Sequence, residues 1–228
     1  MLKYRKSVLI AYDVYIFDED FNKKVYKSIY KLYSKKTKVC KEVKLIDNKI
    51  QHFNVCSFMS SVYVIGGLCN VYKCSNKCYK YDKINQKWRK IVSLNVKRFN
   101  TPCTVFQGKI VITAGNTYND SLKSVEAYDL HENKWTYLSD MNKRRYDHSS
   151  VTIGKKLFVI GGYDKVCSEV YDSISRNFTM FNLMLPYTSS YYTIKTMSFN
   201  SKIVVFCVCS SSNPSKLYVY NVDEPNWI

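Results

Sequence analysis

The stretch from Lys156 to Asp172, KLFVIGGYDKVCSEVYD, decides how the rest of the chain is read. Leu157-Phe158-Val159-Ile160 is a short apolar run of the kind that forms a buried strand. Gly161-Gly162 closes it, where the backbone has to turn sharply or be closely approached. Tyr171-Asp172 ends the next run, and Tyr171 stands seven residues before Phe178.

The same pattern recurs along the chain. Val62-Tyr63-Val64-Ile65 leads to Gly66-Gly67, and Ile110-Val111-Ile112 leads to Ala114-Gly115, so that successive small-residue pairs lie 48 and 47 residues apart. In phase with them, Tyr81, Tyr128 and Tyr220 each precede Trp88, Trp135 and Trp227 by seven residues, as Tyr171 precedes Phe178. Arg98 and Arg145 open two of the stretches that lead into the glycines. Three features sharing one period near 47 residues make a structural repeat.

One unit is enough to predict its fold. Thr101–Phe106, Ile110–Thr113, Ser124–Asp129 and Trp135–Leu138 read as four short strands, and the polar segment from Asp129 to Lys134 reads as a hairpin connection. The Tyr and Trp of each unit supply large apolar area with a polar tip, suited to packing one four-stranded sheet on the next. Four strands per repeat of this length predict an all-β chain of β-propeller blades.

Composition agrees with a folded domain. The chain has 228 residues, 46% hydrophobic and 23% charged, which is ample for a packed core. No segment approaches the ~18 uncharged apolar residues of a membrane helix, and the N-terminal apolar stretch Val8–Ala11 is too short for a secretory leader. Nine cysteines without such a leader predict reduced thiols. The net charge of +17 comes mostly from lysine, and with 21 tyrosines and many Asn and Ile it matches what an AT-rich genome encodes. That bias weakens a nucleic-acid reading of the charge.

These motifs resemble the kelch family: a diglycine, then a Tyr and a Trp separated by six residues. The repeat residues that carry the resemblance are Gly66, Gly67, Tyr81, Trp88, Gly115, Tyr128, Trp135, Gly161, Gly162, Tyr171, Phe178, Tyr220 and Trp227. Residues 45–228 divide into units of about 51–94, 98–141, 145–185 and 190–228. The last carries Cys207-Val208 in place of glycines. Residues 1–44 read as a degenerate partial unit, with Val8–Ala11 as its second strand, Ile29–Ser34 as its third, Tyr33 at the Tyr position, Cys40 at the Trp position, and no first strand. The propeller is therefore expected to be incomplete, with four clear blades and a partial N-terminal one.

The lysine- and isoleucine-rich composition further resembles the C-terminal part of poxvirus BTB-kelch proteins. That resemblance implies a non-catalytic protein-interaction module, a truncated viral kelch-like protein without the BTB domain, which binds host proteins in the host cytoplasm. Without a BTB domain no direct cullin binding is expected. The alternatives are a degenerate fragment without activity, or a basic nucleic-acid-binding protein.

In kelch propellers the partner-binding loops follow the diglycine or join one unit to the next. Here the resemblance points to Arg98, Phe99, Tyr118, Arg144, Arg145, Tyr146, Tyr163, Asp164 and Tyr187, and Tyr and Arg are the residues that dominate protein hot spots. Arg98 and Arg145 also hold repeat positions, which gives them a structural reading beside the functional one. Cys69, Cys74 and Cys78 lack the partner pair of a zinc site, and three scattered histidines with no nucleophile or phosphate-loop motif give no catalytic set. No enzyme activity, metal or cofactor is expected, and no membrane partner.

Overall fold

The computed structural model describes residues 7–17, 24–34, 40–42, 50–59, 61–69, 73–82, 84–85, 87–163, 167–183, 192–209, 215–224 and 226–227. They form four four-stranded antiparallel blades of a β-propeller, each with its strands in sequence order. Blade one comprises Asn54–Phe58, Ser61–Ile65, Cys78–Asp82 and Lys87–Ile91. Blade two comprises Cys103–Phe106, Lys109–Thr113, Val125–Asp129 and Lys134–Tyr137. Blade three comprises Ser149–Ile153, Lys156–Ile160, Ser168–Asp172 and Asn177–Phe181. Blade four comprises Tyr192–Phe199, Lys202–Cys209, Lys216–Asn221 and Asn226–Trp227. Blade two begins at Cys103, two residues later than the sequence reading, because Pro102 has no N–H to enter the ladder.

The chain divides into two compact units, residues 1–97 and 98–228. In the first, Ser7–Phe17, Lys24–Ser34 and Cys40–Glu42 form a three-stranded sheet in which Tyr33 faces Cys40. That is the register of Tyr81 opposite Trp88 in blade one. Blade one gathers Val62, Val64, Tyr79, Tyr81 and Trp88 into a buried cluster backed by Phe53, Val55 and Cys69.

In the second unit, two apolar layers lie between successive blades. Phe106, Val111 and Ala127 of blade two meet Leu157, Val159, Tyr171 and Phe178 of blade three. On its other face, blade three offers Val151, Phe158 and Ile160 to Ile194, Ile203, Val205, Cys207 and Tyr220 of blade four. The repeat aromatics serve both directions. Tyr171 rests on Phe178 across its own sheet at 5.1 Å and on Phe106 of the preceding blade at 5.8 Å. Tyr220 does the same with Trp227 at 5.3 Å and Phe181 at 5.7 Å.

The residue after each Tyr closes the outer hairpin. Asp82 Oδ1 accepts from the N–H groups of Ile84 and Asn85, Asp129 Oδ1 from those of His131 and Glu132, and Asp172 Oδ1 from those of Ile174 and Ser175. Such Asx turns stand in for backbone bonds that a short connection leaves open. Hydrogen bonds to Asn85 hold the Asp82 carboxyl below its ordinary value, and a bond from Lys109 does the same for Asp129.

The glycine pairs stop strands. Gly66, Gly67, Gly161 and Gly162 have φ of 66°, 108°, 66° and 114°, in the left-handed region that ends a ladder. Gly162 is also pressed against the chain that leads into its own blade: a Cβ there would lie 2.9 Å from Tyr146 O and 3.2 Å from His148 Cβ. Blade four has no glycine at this place, and its central hairpin runs on, with Tyr192 paired to Cys209 over eight-residue strands.

Candidate functional site: the loop face of blades two and three

The chain entering a blade and the chain leaving its glycine turn meet on one face. Phe99 and Asn116 exchange backbone hydrogen bonds at 3.0 and 2.9 Å. Gly115 N–H donates to Arg145 O, Asp147 N–H to Asn100 O, and Tyr163 N–H to Tyr146 O. The loop after Gly115 is closed on itself, since Thr117 Oγ1 donates to Asp120 O and accepts from Asp120 N–H. Most of the backbone polar groups here are thus committed, and the loops form a braced surface.

Five predicted residues come together on it. Arg144 Nη1 reaches Asp120 Oδ2 at 2.7 Å and Ser121 O at 2.6 Å, tying the lead-in of blade three to the loop of blade two. Tyr146 and Tyr163 stack with centroids 5.0 Å apart and planes 16° from parallel. Tyr118 and Tyr163 are 57% and 52% exposed. Phe99 and Tyr146 are half-buried. Asp164 and Tyr187 lie outside the described residues.

Arg98 and Arg145 require a correction. As partner contacts they would need surface, and their side chains have none. Arg98 Nη1 donates to Ala114 O at 2.7 Å and Ser124 O at 2.9 Å, while Nη2 reaches Glu126 Oε1 at 2.7 Å. Arg145 repeats the pattern one blade on, with Gly161 O at 2.7 Å, Cys167 O at 2.8 Å and Glu169 Oε1 at 2.8 Å. The reason is local: a strand that stops at a glycine turn leaves carbonyls without ladder partners. The guanidinium fork satisfies them while a fully buried carboxylate balances its charge. Glu169 extends the brace, because its oxygens also accept from Asn142 N–H and Lys143 N–H, at 2.6 and 3.0 Å.

Sequence reasoning missed Glu126 and Glu169, although a signal was present. Each stands two residues before the Tyr of Tyr-Asp, and only in the two units that open with Arg. It also missed His148, which is buried and shares a 2.8 Å hydrogen bond through Nε2 with Thr113 Oγ1 of blade two. Burial, and then the Arg145 charge, push the imidazole well below its ordinary value, so it is neutral. Cysteines 56, 69, 74, 78, 103, 167 and 207 form no disulfide. Among the described residues no group of three His, Cys, Asp or Glu is placed to hold a metal ion.

The signature of the Attractin/LZTR1 β-propeller matches residues 5–171. The chain belongs to this β-propeller family. Its relatives are kelch-like proteins: kelch-like protein 26 of Danio rerio is 30% identical over 142 residues, 58% of this chain and 24% of that protein. Kelch-like protein 40 of Xenopus laevis is 31% identical over 121 residues, 53% of this chain and 20% of that protein. Kelch-like protein 26 of Homo sapiens is 26% identical over 165 residues, 68% of this chain and 27% of that protein. The chain spans about a quarter of the length of these relatives. It is a kelch-repeat propeller, and the loop face described above lies on two of its blades.

Proposed function

We propose that this kelch-repeat chain is a non-catalytic protein-interaction module, and that it takes its partner on the loop face of blades two and three. The observation that carries this is the exposure of Tyr118, Tyr163 and Arg144 on loops braced from beneath by buried Arg–Glu pairs. Rigid aromatic side chains on a preorganised surface lose little entropy on binding and bring large contact area. Arg144 is already bridged to Asp120 in the free chain, so a partner carboxylate would compete for it rather than find it bare.

The finer reading is a viral kelch-like protein whose partners are host proteins in the host cytoplasm. It is supported by the Lys-, Tyr-, Asn- and Ile-rich composition. Target recognition is the task this reading gives to these blades.

The test immobilises the full chain against host cytoplasmic extract and compares it with Tyr118→Ala/Tyr163→Ala and Arg144→Ala variants. Specific partners that bind the parent chain and lose at least ~10-fold in affinity with the tyrosine pair removed are the expected result. Partners that bind both forms equally would contradict the loop-face reading.

A further inference from the structure

The charge of the chain is divided unevenly between its two compact units. Residues 1–97 hold 21 Lys and Arg against 7 Asp and Glu, a net of +14, while residues 98–228 hold 14 against 11, a net of +3. A nucleotide bias acts on a whole chain and does not account for this split. Tyrosine, which the same bias favours, divides 10 and 11 between the units, whereas lysine divides 19 and 10. The blades show the same contrast at equal architecture. Residues 51–94 carry seven basic residues against one acid, whereas residues 98–141, 145–185 and 190–228 carry four against five, five against four and three against two.

Register shows where blade one places this charge. Its fourth strand reads Lys87-Trp88-Arg89-Lys90-Ile91, with Trp88 turned into the core and Lys87, Arg89 and Lys90 exposed. Blade two keeps Lys134 at the Lys87 place, but Thr136 and Tyr137 stand at the next two, and blade three has Asn177, Thr179 and Met180 there. All three are edge strands of their sheets. Lysines that protect an edge therefore do not explain the run in blade one, since its counterparts go without it. Lys80 stands opposite Arg89 on the third strand. Leu94 N–H donates to Asn76 O, and Asn76 Nδ2 to Leu94 O, which brings the loop of Lys73 and Lys77 beside the exit of the basic strand. Asp82 is the one acid between Ile50 and Lys97, and Arg89 occupies it at 2.8 Å. The blade supplies no second carboxylate for Lys73, Lys80, Lys87 and Lys90.

We propose that this lysine flank of blade one binds double-stranded nucleic acid through its phosphate backbone, without reading sequence. The described aromatic side chains of blade one are buried or half-buried. The flank thus offers neither the stacking platform that a single strand uses nor the anchors of a protein hot spot. Stable contact with a bilayer takes an inserted apolar face or a lipid chain besides charge. Charge alone remains, and lysine supplies it as compact point charges. A duplex carries one phosphate per about 1.7 Å of its axis, and lysines that replace its condensed counterions release them to solution. Four phosphate contacts, from Lys73, Lys80, Lys87 and Lys90, give a slope of log affinity against log salt of about −3.6. That is roughly 150-fold weaker binding at about 200 mM salt than at about 50 mM.

Fluorescence anisotropy of labelled mixed-sequence duplexes of about 30 base pairs, one DNA and one RNA, tests the proposal with the full chain from about 50 to 200 mM salt. The expected result is binding of both duplexes with that slope. Lys87→Gln/Arg89→Gln/Lys90→Gln should raise Kd at least ~10-fold and flatten the slope by about 2, with the thermal midpoint unchanged. Lys134→Gln/Lys155→Gln/Lys156→Gln removes the same charge from exposed positions in blades two and three and should change Kd by less than ~2-fold. Tyr118→Ala, on the loop face, leaves Kd unchanged, so this proposal and the partner-binding one fail independently. Absence of binding at the lowest salt overturns the proposal, and so does an equal loss in the two triple variants. Binding of one duplex without the other contradicts a contact made to the backbone alone. Equally tight binding of polyglutamate, or of phosphatidylserine vesicles, would transfer the flank to an acidic protein or a membrane and overturn the assignment to nucleic acid.

Discussion

Blades three and four share one strand order and one Tyr-to-aromatic register, yet their inner ends are built in two ways. Blade three stops its second strand at Gly161-Gly162 and locks the freed carbonyls with Arg145 and Glu169. Blade four carries Cys207-Val208 there, with Tyr191 and Tyr218 at the positions of Arg145 and Glu169. Its hairpin lengthens instead of turning. Blade one shows the same joint replacement, with Ile50 and Tyr79 in those two places. An arginine buried without its carboxylate is costly, so the pair is kept or lost as a unit. Where it is kept, in blades two and three, the loops above it are braced and carry the exposed aromatic surface.

The sharpest way to break this comparison is to separate the pair. Glu169→Leu leaves the Arg145 guanidinium buried and uncompensated, and frees the N–H groups of Asn142 and Lys143. A loss of about 3–5 kcal/mol in urea or thermal unfolding is expected. Adding Arg145→Met should return part of it, since the buried charge is then gone. Next in size, Gly162→Val imports the blade-four residue into blade three. With φ of 114° and Tyr146 O 2.9 Å from the new Cβ, it should cost about 2–3 kcal/mol.

A smaller effect concerns the contact between blades two and three. His148 is neutral when folded because its value is depressed by burial and Arg145, whereas the unfolded chain titrates near 6.5. The unfolded state therefore binds the extra proton first. The contribution to stability is fully present above pH ~6.5 and declines as pH falls toward the lower folded value, by about 1.4 kcal/mol per pH unit. Thermal midpoints measured between about pH 7 and pH 5 should show this slope, and His148→Gln should flatten it. The residue in the matching place of blade four is Ile194, so the contact between blades three and four adds nothing to the slope. Smallest of all, Tyr118→Ala should change stability by less than about 0.5 kcal/mol, because the ring is mostly in solvent.

The blades were legible because their signals are local. A short apolar run, a glycine pair and a Tyr-Asp followed by Trp each name a piece of backbone geometry, and the period of about 47 residues sets them in phase. Phe99, Tyr118, Arg144, Tyr146 and Tyr163 were legible as loop residues for the same reason. What was not legible is which arginines face solvent. Arg144 and Arg145 are neighbours in sequence, but one bridges to Asp120 at the surface and the other is sealed inside against Glu169. That difference depends on residues 24 positions away on either side, and nothing within the basic run itself reveals it.

Hydrogen exchange on the full chain tests the central claim most directly, that buried Arg–Glu pairs brace the loop face of blades two and three. The amides of Gly115, Lys143, Arg145 and Tyr163 should exchange slowly in the parent chain, and those of Lys143 and Arg145 should lose that protection in Glu169→Leu while the strands of blade two keep theirs. Fast exchange of these loop amides in the parent chain, or protection unchanged by the substitution, would contradict it.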